Sequence, residues 1–86
     1  MPEISRFYGI VVKMYFADHP PPHLHAEYGS EEALLHIETL GVIAGNLPPR
    51  ALSMVREWTS LHRDELRVAW EKAKGLQSPG KIAPLP

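Results

Sequence analysis

Three of the five histidines in this chain fall within seven positions, in the stretch Asp18-His19-Pro20-Pro21-Pro22-His23-Leu24-His25-Ala26-Glu27-Tyr28. Imidazole titrates nearer neutrality than any other unperturbed side chain, and its neutral form is a common metal ligand. Successive side chains of a strand point to opposite faces, so a His-x-His pair aims both rings the same way. His23, His25 and Glu27 therefore share one face, while Leu24, Ala26 and Tyr28 share the other. Two chemistries follow. His23 and His25 can serve as a catalytic acid–base pair tuned by Glu27. Alternatively they can bind a divalent metal such as zinc, with Glu27 as an oxygen ligand and His36 or His19 completing the set. The chain has no cysteine, so histidine and carboxylate are the ligands left for any such ion. The third reading of the same face is a solvated or partner-docking surface with no chemistry of its own.

The elements that must position these residues can be read in order. Proline fixes φ and lacks a backbone donor, so Pro20 to Pro22 form a stiff lead-in rather than part of a helix or central strand. Before them, Ile4 to Tyr8 and Ile10 to Phe16 read as strands separated near Gly9. After them, the strand from His23 to Tyr28 meets Gly29-Ser30, a glycine-first dipeptide suited to a two-residue hairpin loop. That loop sets Leu24 opposite Leu35, Ala26 opposite Ala33 and His23 opposite His36. Leu24, Ala26, Ala33, Leu35 and Ile37 then form a core face. The other face carries His23, His25, Glu27, Glu32, His36 and Glu38, with Leu34 among them. A slip of one residue would mix the two sets. Leu40 to Ala44 reads as a last short strand.

Pro48-Pro49 opens a helix, and nothing breaks its pattern before Gly75. A single helix from Pro49 to Lys74 would be about 37–39 Å long at 1.5 Å per residue. Ala51, Val55, Trp58, His62, Leu66, Ala69 and Ala73 line one stripe of it, the pattern of a helix laid on a sheet. His62 on that stripe reads as a core-edge histidine. The spacing Arg56-(x)5-His62 and the triplet His62-Arg63-Asp64 match motifs of helical ribonucleases and kinases. Those motifs need a helical bundle and a far longer chain respectively, so neither reading is adopted. Residues 75–86, rich in proline and glycine, read as an irregular tail behind a single domain over residues 1–74.

With 86 residues, 44% of them hydrophobic and 22% charged, the chain fits one small globular domain. A net charge of −1 with histidine neutral argues against a broad electrostatic grip on nucleic acid. No apolar run approaches membrane-spanning length and the start has no leader pattern, so a cytoplasmic protein with no membrane role is expected.

Four segments resemble one family: Pro2-x-Ile4-Ser5-Arg6-Phe7-x-Gly9-Ile10, Pro21-Pro22-His23-x-His25-Ala26-Glu27-Tyr28, Ile37-Glu38-Thr39-Leu40 and Leu61-His62-Arg63-Asp64-Glu65-Leu66. They are similar to the bacterial domain-of-unknown-function 4160 family, whose pattern includes the positions of His23, His25, Glu27 and His62 but not that of His36. The resemblance implies a genomic association with a small domain-of-unknown-function 2442 protein. From that comes the expectation of a toxin-like component in a two-gene toxin–antitoxin module. It would act with a partner protein encoded by the neighbouring gene, and on RNA. The fold expected from the residues is α+β, a mostly antiparallel sheet of four or five strands packed on one long C-terminal helix. A toxin-like component, a metal-binding or hydrolytic protein, and a non-catalytic interaction module are the three functional readings carried forward.

Overall fold

The computed structural model describes residues 3–86. Met1 and Pro2, at the head of the domain expected over residues 1–74, lie outside the described residues. Five strands, β1 (Glu3–Phe7), β2 (Ile10–Lys13), β3 (His23–Tyr28), β4 (Glu31–His36) and β5 (Val42–Gly45), precede two helices, α1 (Pro49–Leu61) and α2 (Arg63–Lys74). The strands form one antiparallel sheet in chain order, β1-β2-β3-β4-β5.

Two tight turns set the register. Tyr8 and Gly9, both at positive φ, join β1 to β2. Gly29, at φ 60, opens the loop that places Tyr28 opposite Glu31. The β3–β4 pairing is the expected one, with His23 opposite His36, Leu24 opposite Leu35 and Ala26 opposite Ala33. β2 stops at Lys13, short of the strand expected to reach Phe16, and the chain from Met14 onward forms the connection to β3.

Leu24, Ala26, Ala33, Leu35 and Ile37 are buried with Ile4, Phe7, Ile10, Val12 and Met14. From the helices, Ala51, Val55, Trp58, Leu66, Ala69, Trp70 and Ala73 join them, and Leu47, Ile82 and Leu85 complete one core cluster. Apolar burial of this kind is the main favourable term in folding.

The single long helix expected from the sequence is instead two helices, broken at His62 (φ −118, ψ 24). The His62 N–H is shared between the Trp58 and Thr59 carbonyls, while the His62 carbonyl accepts from Leu66 to start α2. No proline or glycine marks this break. Two features account for it. The buried Thr59 hydroxyl donates back to the Val55 carbonyl at 2.7 Å, a contact that bends helices. Beyond the break, Arg63 donates to the Ile37 carbonyl and Arg67 forks onto Glu38, which ties α2 to the end of the sheet.

Residues 76–86 form no helix or strand, yet Pro79, Ile82 and Leu85 are buried against the domain. Among the described residues no helix is long and apolar enough to cross a membrane.

Candidate metal centre

The site lies where three segments meet: the Met14–Pro22 connection, the start of β3 and the C-terminal half of α2. Ala17 adopts φ 52, unusual for a residue with a Cβ, and its N–H donates to the Ala73 carbonyl in the last turn of α2. That turn of the backbone aims Asp18 back at the strand. Asp18 Oδ1 accepts from the His19 N–H at 2.9 Å. Asp18 Oδ2 lies 3.0 Å from His23 Nε2 and 3.0 Å from His25 Nε2. The three ligand atoms all lie within 4.8 Å of one another.

The outer ring nitrogens are occupied as well. His23 Nδ1 is 2.7 Å from the Pro21 carbonyl, and His25 Nδ1 is 3.4 Å from Glu32 Oε2. Walls come from aromatic rings: Trp70 of α2 packs against His23 with centroids 5.2 Å apart, and Tyr15 meets His25 edge-on at 4.3 Å. The His23 side chain is 6% exposed, that of His25 13% and that of Asp18 23%, so the cluster opens to solvent on its Asp18 side.

Proton placement defines what this cluster can do. A carbonyl only accepts, so His23 Nδ1 must carry the hydrogen it donates to Pro21. With one proton on the ring, the His23 Nε2 lone pair faces a carboxylate oxygen, which is also an acceptor. A proton, on the ring or on the carboxyl, or a metal ion must therefore lie at that contact. Burial works against ionising Asp18. Hydrogen bonds from His25 and the His19 N–H, with the charge of His23 and His25, outweigh it and hold the carboxyl below its ordinary value.

The other residues expected at the site stand apart from it. Glu27 shares the face of His25 but pairs with Lys13 at 3.1 Å, and this contact raises the lysine pKa. His36 stands opposite His23, yet its Nδ1 accepts the N–H groups of Glu38 and Thr39 and so caps the turn after β4. His62 packs on Trp58 at 5.4 Å and its Nδ1 is 2.7 Å from Glu65 Oε1, far along the chain from the cluster. Asp18 is the member that strand periodicity could not supply. The signal available was an acid just ahead of a rigid proline turn that folds the chain back beside the two histidines.

An antiparallel five-strand meander backed by two helices, with two strand histidines facing a loop aspartate, defines a small α+β domain carrying a His2Asp cluster. Residues 9–71 match the family model described as a domain of unknown function (DUF4160), and the chain belongs to that family. No curated protein and no solved structure matches it.

Proposed function

We propose that this domain binds one divalent first-row metal ion through Asp18 Oδ2, His23 Nε2 and His25 Nε2. The observation that carries the reading is the orientation of both imidazoles. Each turns Nε2 toward one shared carboxylate oxygen and Nδ1 toward an outer acceptor, Pro21 O or Glu32 Oε2. Metal-bound histidines characteristically donate the other ring N–H to a carbonyl or carboxylate, which fixes tautomer and ring angle. Two nitrogens and one oxygen without sulfur suit zinc and its borderline neighbours. Three protein ligands leave a position for water or substrate, the pattern of catalytic rather than structural zinc sites. When bound, such an ion would supply Lewis-acid and water-activating chemistry, so hydrolysis is the reaction class this reading favours.

The toxin-like and RNA-directed readings draw no comparable support. Arg6, Lys13 and Arg67 are paired with acids, and Arg56 and Arg63 donate to main-chain carbonyls, so five of the nine basic residues are already engaged within the domain.

Thermal unfolding of chelator-stripped protein, with and without zinc, manganese, cobalt or nickel, tests the metal reading. Ligand at about 100 times Kd stabilises by about 2.7 kcal/mol. For a domain of this size that is a rise of roughly 10–20 °C in Tm. The rise should fade in acid, because histidine must be deprotonated to bind. No shift with any first-row divalent ion would leave the metal-free readings, an acid–base pair of His23 and His25 or a docking surface without chemistry of its own.

A further inference from the structure

We propose that the groove between β1 and the two helices is a binding site for an extended peptide with two aliphatic side chains three residues apart, which residues 76–86 occupy in this chain. The tail is seated as such a peptide would be. Ile82 and Leu85 are its anchors, 7% and 8% exposed, and they join the buried cluster that contains Ile4, Phe7 and Trp58. Its main chain is read at two adjacent residues. The Ile82 N–H donates to the Ile4 carbonyl at 2.8 Å, and the Ala83 carbonyl accepts from Trp58 Nε1 at 2.8 Å.

Both receiving groups belong to the groove and not to the tail. The register shift between Glu3 and Ser5 leaves Ile4 without a partner in β2, so its carbonyl faces the open edge of the sheet. Trp58 is fully buried, and its indole N–H needs an acceptor that neither helix supplies. An open backbone acceptor and an indole donor, with apolar side chains between, can hold the main chain of a bound peptide, here at one N–H and one carbonyl.

The occupant's polar contacts with the domain are few, while Pro79, Ile82 and Leu85 are buried against it. From Ser78 onward, among the described residues, those two hydrogen bonds are the only ones that reach the body of the domain. Gly80 turns at φ 81 with open space where a Cβ would stand, and a cleft of about 250 Å3 runs between Pro79, Lys81 and Ile82 and the Glu65–Lys72 face of α2. The family match ends at residue 71, so Trp58 lies in the matched segment and the tail does not. Tethering sets an effective tail concentration of about 1 mM, so a competing peptide binds well only when the tail is released.

The test uses the full chain carrying Ile82→Asp and Leu85→Asp, with a fluorescein-labelled peptide of residues 76–86 as the probe. The variant should keep native far-UV dichroism and cooperative unfolding and bind the probe saturably, at least tenfold tighter than wild type does. The same peptide with both aspartates should not bind. In wild type, the Ile82 amide should exchange with solvent faster than the amides of α1. Loss of cooperative folding in the variant would make the tail part of the core and overturn the proposal. A folded variant that ignores the probe, equal binding of the aspartate peptide, or equal exchange protection would overturn it as well.

Discussion

Replacing Leu35 by alanine isolates the feature on which the geometry of the site depends, the register of the β3–β4 hairpin. Leu35 is 1% exposed and stands opposite the fully buried Leu24. Truncation removes three buried carbons, worth about 2.4 kcal/mol at about 0.8 kcal/mol each, before any cavity cost. Relaxation around the site sets how much the cavity adds, and a total of about 2–4 kcal/mol falls in the range of such substitutions. Domains of this length are stable by about 4–13 kcal/mol, so the loss is a large fraction of the whole. The neighbouring Leu34 points to the other face and is only half-buried. Leu34→Ala should therefore cost about 1 kcal/mol or less, as for other substitutions outside the core. Urea unfolding of the two variants beside wild type measures the contrast, with the midpoint expected to move and the slope to hold. A Leu34→Ala loss as large as that of Leu35→Ala would refute the register, and with it the placing of His23 and His25 on the Asp18 side.

Gly45 should tolerate no side chain. It sits at φ 76, and an added Cβ would clash with the Glu32 carbonyl oxygen, so Gly45→Ala should lower stability by more than about 1 kcal/mol in the same assay. Arg67 lowers the pKa of Glu38 chiefly by hydrogen bonding to it. A depressed carboxylate stabilises the fold above its ordinary pKa, and that contribution is lost as pH falls through the depressed value. Arg67→Ala should thus flatten the decline in stability below about pH 4.5, the ordinary glutamate value, and change the neutral-pH midpoint little, since the pair is exposed. An unchanged acid limb would contradict that assignment.

The sheet was legible because alternation over His23–Tyr28 and Glu31–His36 admits one register that keeps leucine and alanine together. Gly29 at its turn then left no freedom to slip. The helix break was not legible, since its causes are the Thr59 back-bond and the pull of Arg63 and Arg67 on the sheet, which are tertiary contacts with no breaker residue. At the site, periodicity found His23 and His25 because a strand repeats every two residues. It could not weigh Lys13 of the next strand, which claims Glu27, or the turn amides that claim His36. Asp18 sits in a loop, where direction depends on local backbone geometry such as the positive φ of Ala17.

Calorimetric titration of zinc into the stripped protein at neutral pH tests the metal centre most directly, with wild type, Asp18→Asn, His23→Ala, His25→Ala, Glu27→Gln, Glu32→Gln and His36→Ala measured side by side. One ion per chain should bind wild type. Substituting Asp18, His23 or His25 should abolish binding, whereas Glu27→Gln and His36→Ala should leave affinity close to wild type because those side chains are engaged elsewhere. Glu32→Gln should lie between, with a loss of about tenfold as expected for an outer-shell partner of His25. Absence of binding by wild type, or full affinity in Asp18→Asn with loss in Glu27→Gln, would contradict the account.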